Sequence, residues 1–246
     1  MEPPFRLIDG DSASGLLLVA DHASDHVPDD IDLGIDATLL GKHIAVDIGV
    51  DRLSDAVAES LGCPAIVATL SRLVVDLHRE PDNAGVIPVE SDGHIVPGNV
   101  ALDEAGRAER IARFWNPYHV RIAALIDLYR PQMLFTLHSF TPALETAPEY
   151  QRPWQCGILY NEDDRAPRIA IPKLEASGLT VGENEPYSGK QLNATMNQHA
   201  ERPGLPYLAI EVRNHLIADD EGVQRWADIL APVIAETRDT LAEGQE

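Results

Sequence analysis

Residues 16–25 read Leu16-Leu17-Leu18-Val19-Ala20-Asp21-His22-Ala23-Ser24-Asp25, and the switch within them decides the fold. A short apolar run closed by turn-forming polar residues predicts a buried strand that delivers its carboxyl end to a surface. In open α/β sheets, ligands bind in the crevice beyond the carboxyl ends of the strands. His22 and Asp25 therefore arrive where chemistry is usually done.

The pattern recurs further along the chain. Leu73-Val74-Val75 closes on Asp76-Leu77-His78-Arg79, residues 133–137 close on His138-Ser139-Phe140, and residues 207–212 carry Glu211 and Arg213 at their end. Residues 65–70 and 156–160 are two more predicted strands. Helical spacing predicts a helix over 37–61, capped by Asp36 and stopped at Gly62, with His43 and Asp47 one turn apart on it. Further helices are predicted over 103–129, kinked or split at Pro117, over 167–177 and 193–201, and over 221–241, interrupted near Pro232. Residues 80–99, rich in Pro, Gly and Asp, predict a long active-site loop or a small hairpin, and 182–191 a polar loop. Strands alternate with helices and no repeat or linker divides them. The expected fold class is α/β, one domain over residues 1–246, with a mixed, mostly parallel sheet flanked by helices.

Composition excludes several functions. Forty acidic against nineteen basic residues give a net charge of −21, a field that repels nucleic acid and anionic membranes. No apolar run reaches the eighteen residues of a membrane span, and the first residues lack a signal-peptide pattern, so a cytoplasmic protein is expected. Cys63 and Cys156 sit in apolar contexts and read as reduced core thiols. The cations are sixteen Arg and three Lys, and the guanidinium fork suits carboxylates. A small anionic substrate would need a local Arg cluster against the global field. The oligomeric state is left open.

The residues gathered at strand ends suggest metal chemistry. His22, a carboxylate three residues on at Asp25, and His138 supply two imidazoles and one carboxylate, which leave the fourth position of a tetrahedral Zn²⁺ open for water. Other divalent ions also suit N/O donors. Glu211 is the candidate general base. Arg79 and Arg213, with Arg72 as a third candidate and Asp76 beside them, are candidates for holding a substrate carboxylate or an oxyanion. His199, just before the last strand, is a candidate transition-state donor. Plainer roles stand beside each of these. A strand-end His often serves only as a hydrogen-bonding group, Asp76 can pair with Arg79, and Glu211 can pair with Arg213 on one strand face. His26 lies close to the site or on the surface, while His94, His119 and His215 read as loop and surface residues. There is no Gly-x-Ser-x-Gly elbow, no Gly-x-Gly-x-x-Gly turn and no P-loop.

Several stretches together resemble the N-formylglutamate amidohydrolase family: Asp21-His22-Ala23-Ser24, Asp47-Ile48-Gly49, Ser71 through Arg79, Leu137-His138-Ser139-Phe140 and Glu211-Val212-Arg213-Asn214, running from about residue 14 to 240. The resemblance implies a zinc-dependent hydrolase with a zinc-carboxypeptidase-like (phosphorylase/hydrolase-like) fold, releasing formate from N-formyl-L-glutamate in histidine breakdown. It puts His22 and His138 where zinc ligands belong and Glu211 where the general base belongs. Asp25 takes the middle ligand position by analogy with a His-x-x-Glu pattern, one methylene shorter. Arg79 and Arg213 look like partners of the substrate carboxylate. The acyl group stays open, and a deacylase or carboxypeptidase-like hydrolase of another acidic compound, or a non-catalytic small-anion-binding homologue, are the alternatives.

Overall fold

The structure is a computed structural model and describes residues 2–244. In chain order its strands are β1 (Phe5–Ile8), β2 (Leu16–Ala20), β3 (Ala65–Ala68), β4 (Glu90–Ser91), β5 (His94–Ile95), β6 (Met133–Phe140), β7 (Cys156–Leu159), β8 (Val181–Glu183) and β9 (Tyr207–Arg213). The helices are α1 (Val50–Leu61), α2 (Pro97–Val100), α3 (Glu104–Arg110), α4 (Asn116–Tyr129), α5 (Arg165–Ala176), α6 (Ala194–Met196) and α7 (Asp220–Glu243). Seven strands form one sheet in the order β1-β3-β2-β6-β9-β7-β8, and β4 with β5 makes a separate hairpin. The central β3, β2, β6 and β9 run parallel, β1 is antiparallel to β3, and β7 is antiparallel to β9 but parallel to β8.

The pleat of β2 divides the core. Leu16, Leu18 and Ala20 face one cluster with α1, α5 and α7, while Leu17 and Val19 face another with α4 and the buried run Leu73–Leu77. Side chains alternate across a strand, so a strand buried on both faces reads as an unbroken apolar run. The strand ends β2, β6 and β9 lie side by side, with His138 opposite Glu211 in register. Cys63 and Cys156 are free and buried. Among the described residues no helix is long and apolar enough to cross a membrane.

Several elements differ from the sequence expectation. The helix expected over 37–61 is one turn at Ala37–Leu39, then irregular chain, then α1 from Val50. The break falls at Gly49, whose φ of 86° suits only glycine and where a Cβ would meet the Ile217 carbonyl at 2.2 Å. Leu73–Val75 is buried turn rather than strand. Pro117 lies inside a helix that continues from Glu104 to Tyr129, and the helix widens to a π-turn at Ile111–Trp115 just before it. α7 continues through Pro232, which lies on its exposed face together with Asp228, the residue whose carbonyl it leaves without an N–H partner. β1 and β8 were not expected; each is an edge strand of three or four residues, too short for a periodic signal.

Candidate metal centre and its pocket

His22 lies just past β2, 3% exposed, and His138 lies within β6, 5% exposed. Asp47 joins them from the loop before α1, where its N–H donates to the His22 carbonyl at 2.9 Å. Its Oδ2 is 2.8 Å from His138 Nδ1 and 3.4 Å from His22 Nδ1. The Ser139 N–H donates to the same oxygen at 3.3 Å. One ligand atom from each of His22, Asp47 and His138 falls within 4.8 Å of the others, close enough to hold one metal ion.

The donor set fits a cation. His22 Nε2 donates to Asp76 Oδ1 at 2.8 Å, which leaves a lone pair on His22 Nδ1. That atom is buried and makes no hydrogen bond. A lone pair and a carboxylate oxygen facing each other out of water leave room for a positive charge, and N/O donors suit a divalent ion. The backing groups are also in place. Asp76 fixes the His22 ring, and Asp21 Oδ2 lies 3.6 Å from His138 Nε2 while accepting from His78 Nδ1 at 2.8 Å. Burial works to raise the Asp47 and Asp76 carboxyls. The neighbouring His22 and His138 for Asp47, and Arg72 and His22 for Asp76, outweigh it and hold both well below the usual range.

Glu211, 8% exposed on β9, stands beside His138 in register and lines the same cavity, of about 430 Å³. Burial pushes its carboxyl up to about 7, against the pull of His138. Gly157 on β7 lies opposite Glu211, where a Cβ would meet the Glu185 carbonyl at 2.2 Å, so the chain just after β8 passes close. Two arginines reach the cavity. Arg72 is committed to carboxylates, 2.9 Å from Asp76 and 3.4 Å from Asp47. Among the described residues the Arg79 guanidinium makes only a 3.6 Å ion contact, with Asp76, which leaves its fork open toward the cavity. The β4–β5 hairpin walls the mouth, pinned by Asp92, which accepts from the Glu145 and Thr146 N–H groups and pairs with His43 at 2.8 Å.

Three residues singled out from sequence lie elsewhere. Asp25 is exposed and outside the cavity lining, because a His-x-x-Asp spacing puts both side chains on one face only where the chain is helical, and here it is not. Asp47 occupies the place expected for it. Arg213 is also outside the lining, its Nη1 donating to the Arg152 carbonyl at 3.1 Å. His199 is buried behind the site, 2.9 Å from His119 Nδ1, and does not line the cavity either. His119, expected on a helix surface, is 3% exposed. Asp21 and His78 were not singled out individually, and Asp47 was singled out only as a helix partner of His43 that could support a metal ligand, although each stands within a stretch that carries the family resemblance.

Fold and site together define an α/β protein with a buried imidazole–carboxylate cluster and an adjacent glutamate at the carboxyl edge of its sheet. The family model described as N-formylglutamate amidohydrolase matches residues 14–218, so the chain belongs to that family and is an amidohydrolase. No curated protein matches it. The gene product Atu2144 from Agrobacterium tumefaciens is similar with a TM-score of 0.90 and 29% identity, over 98% of this chain and 97% of that one. A bacteriophage poly-gamma-glutamate hydrolase shares the fold at a TM-score of 0.50 and 10% identity, over 100% of this chain and 93% of that one.

Proposed function

We propose that the protein is a zinc-dependent amidohydrolase that cleaves the amide of a small N-acyl amino acid, N-formyl-L-glutamate, to formate and L-glutamate. The observation that carries the reading is the convergence of His22, Asp47 and His138 with Glu211 beside them in one cavity. The family's description supports the substrate. The reading includes a fold of the zinc-carboxypeptidase (phosphorylase/hydrolase-like) kind and a small anionic substrate met in the cytoplasm.

His22, Asp47 and His138 would hold the ion, which when bound supplies Lewis-acid activation of a water and of the scissile carbonyl. Glu211 takes the proton from the attacking water and hands it to the leaving nitrogen, work for which a carboxyl titrating near 7 is suited. Asp76 keeps the His22 imidazole oriented, and the Asp21 carboxylate lies 3.6 Å from His138 Nε2. Arg79 binds a substrate carboxylate through its free fork, and Arg72 keeps Asp47 and Asp76 charged.

The test is the metal content of the purified protein, with formate release from N-formyl-L-glutamate measured before and after chelation and on re-addition of zinc. One equivalent of zinc with chelator-sensitive formate release supports the reading. Zinc without formate release moves the substrate to another N-acyl compound. Failure to take up any divalent ion overturns the centre.

A further inference from the structure

Residues Leu77–Arg79 have no regular secondary structure, yet they deliver His78 and Arg79 to the cavity. Their carbonyls are held by side chains from distant parts of the chain. The Leu77 carbonyl accepts from His119 Nε2 at 2.9 Å and from Thr195 Oγ1 at 3.4 Å, and the Arg79 carbonyl accepts from Trp115 Nε1 at 2.9 Å. Trp115, the residue before α4, and His119 within it are four residues apart, with ring centroids 3.8 Å apart. His119 in turn meets His199 edge to edge, Nδ1 to Nε2 at 2.9 Å with the rings 9° from parallel.

A carbonyl only accepts, so His119 carries a hydrogen on Nε2. Burial pushes both rings down to about 4, so both are neutral near pH 7. His119 then offers a lone pair at Nδ1, and His199 donates to it from Nε2. Trp115 ends one π-turn (Ile111–Trp115) and His199 sits inside the other (Asn197–Glu201). Such turns are rare and occur mostly where they re-aim side chains at functional sites. Burying two imidazoles costs free energy unless each polar atom is paired, and an apolar pair would fill the same space at lower cost.

We infer that Trp115, His119 and His199 are positioning residues that fix the Leu77–Arg79 backbone so that Arg79 faces the substrate carboxylate. The inference rests on the proposed role of Arg79, but the positioning itself can be read without any substrate. Hydrogen exchange on the full-length protein is the first experiment, comparing wild type with His119→Phe and Trp115→Phe. Exchange in the peptide spanning residues 75–82 should accelerate about tenfold, the factor for one lost hydrogen bond of ordinary net strength, while β2 and β6 stay protected. Unchanged exchange in that peptide overturns the inference. If His119→Phe fails to fold, Trp115→Phe decides alone, since it removes the indole N–H while keeping an aromatic ring at the position.

Kinetics then connect the clamp to Arg79. On N-formyl-L-glutamate with zinc loaded, His119→Phe should raise KM about tenfold with kcat within about threefold, the split expected when uniform binding is lost. His119→Gln, which keeps a donor near Leu77, should recover most of it. In an Arg79→Ala background the same change should add nothing further. A fully additive effect, or a loss of thermal stability with KM unmoved, overturns the role in positioning. Absence of turnover in the wild type would instead count against the proposed function, and hydrogen exchange would still decide the clamp.

Discussion

Replacing Asp47 and Asp25 separately by Asn tests which carboxylate completes the centre. Asp47 is 4% exposed and touches the His22 and His138 imidazoles, whereas Asp25 is exposed and lines no part of the cavity. Removal of a group that merely supports a ligand weakens metal affinity by about 10- to 100-fold. Asp47→Asn removes the one anion among three donors and should reach at least the upper end, about 100-fold, or roughly 2.7 kcal/mol at 1.36 kcal/mol per decade. Asp25→Asn is a surface change, expected within about 0.5 kcal/mol, or about twofold. Zinc affinity is measured by competition with a chromophoric chelator, with thermal melting as the control for folding. Loss of zinc from Asp25→Asn with retention by Asp47→Asn would refute the assignment. Equal effects of the two would show that the cluster does not ligate.

Three other outcomes follow from the same geometry. Glu211→Gln should keep one equivalent of metal and lose about 10²- to 10⁴-fold in kcat, and in the wild type kcat/KM should rise with pH as Glu211, raised by burial to about 7, loses its proton; a flat profile with full activity in the Gln variant removes Glu211 from proton transfer. Arg79→Ala should raise KM, while Arg213→Ala should leave KM unchanged and lower thermal stability, because Arg213 is bound to the Arg152 carbonyl and Arg79 is free; steady-state kinetics of the pair decide. Burial depresses His119 and His199 from 6.5 to about 4 in the folded chain, so the unfolded chain binds more protons between those values. Their contribution is fully present above pH 6.5 and falls as pH drops toward 4, and denaturant melts across that window should show a shallower slope in a His119→Phe, His199→Phe double variant.

How much of this could be read from sequence depended on whether one strand or several segments set the feature. The runs ending at His22, His138 and Glu211 announce buried parallel strands, and parallel packing then places their ends together at one edge, so those three residues were legible without coordinates. Asp47 was not, because leucine and isoleucine spacing over 37–61 matches a helix, and only the backbone needed at Gly49, against Ile217 from the far end of the chain, breaks it. Asp25 had the right spacing but not the helical path that makes such a spacing converge. Arg213 reads like Arg79 in a motif, yet the chain gives one a carbonyl to hold and leaves the other free. His119 and His199 are 80 residues apart, one on α4 and one in a π-turn, and only the folded chain brings them together. Local patterns thus state which residues reach the carboxyl edge of the sheet. The non-local contacts decide which of them enter the imidazole–carboxylate cluster, which line the open cavity and which are held by other side chains.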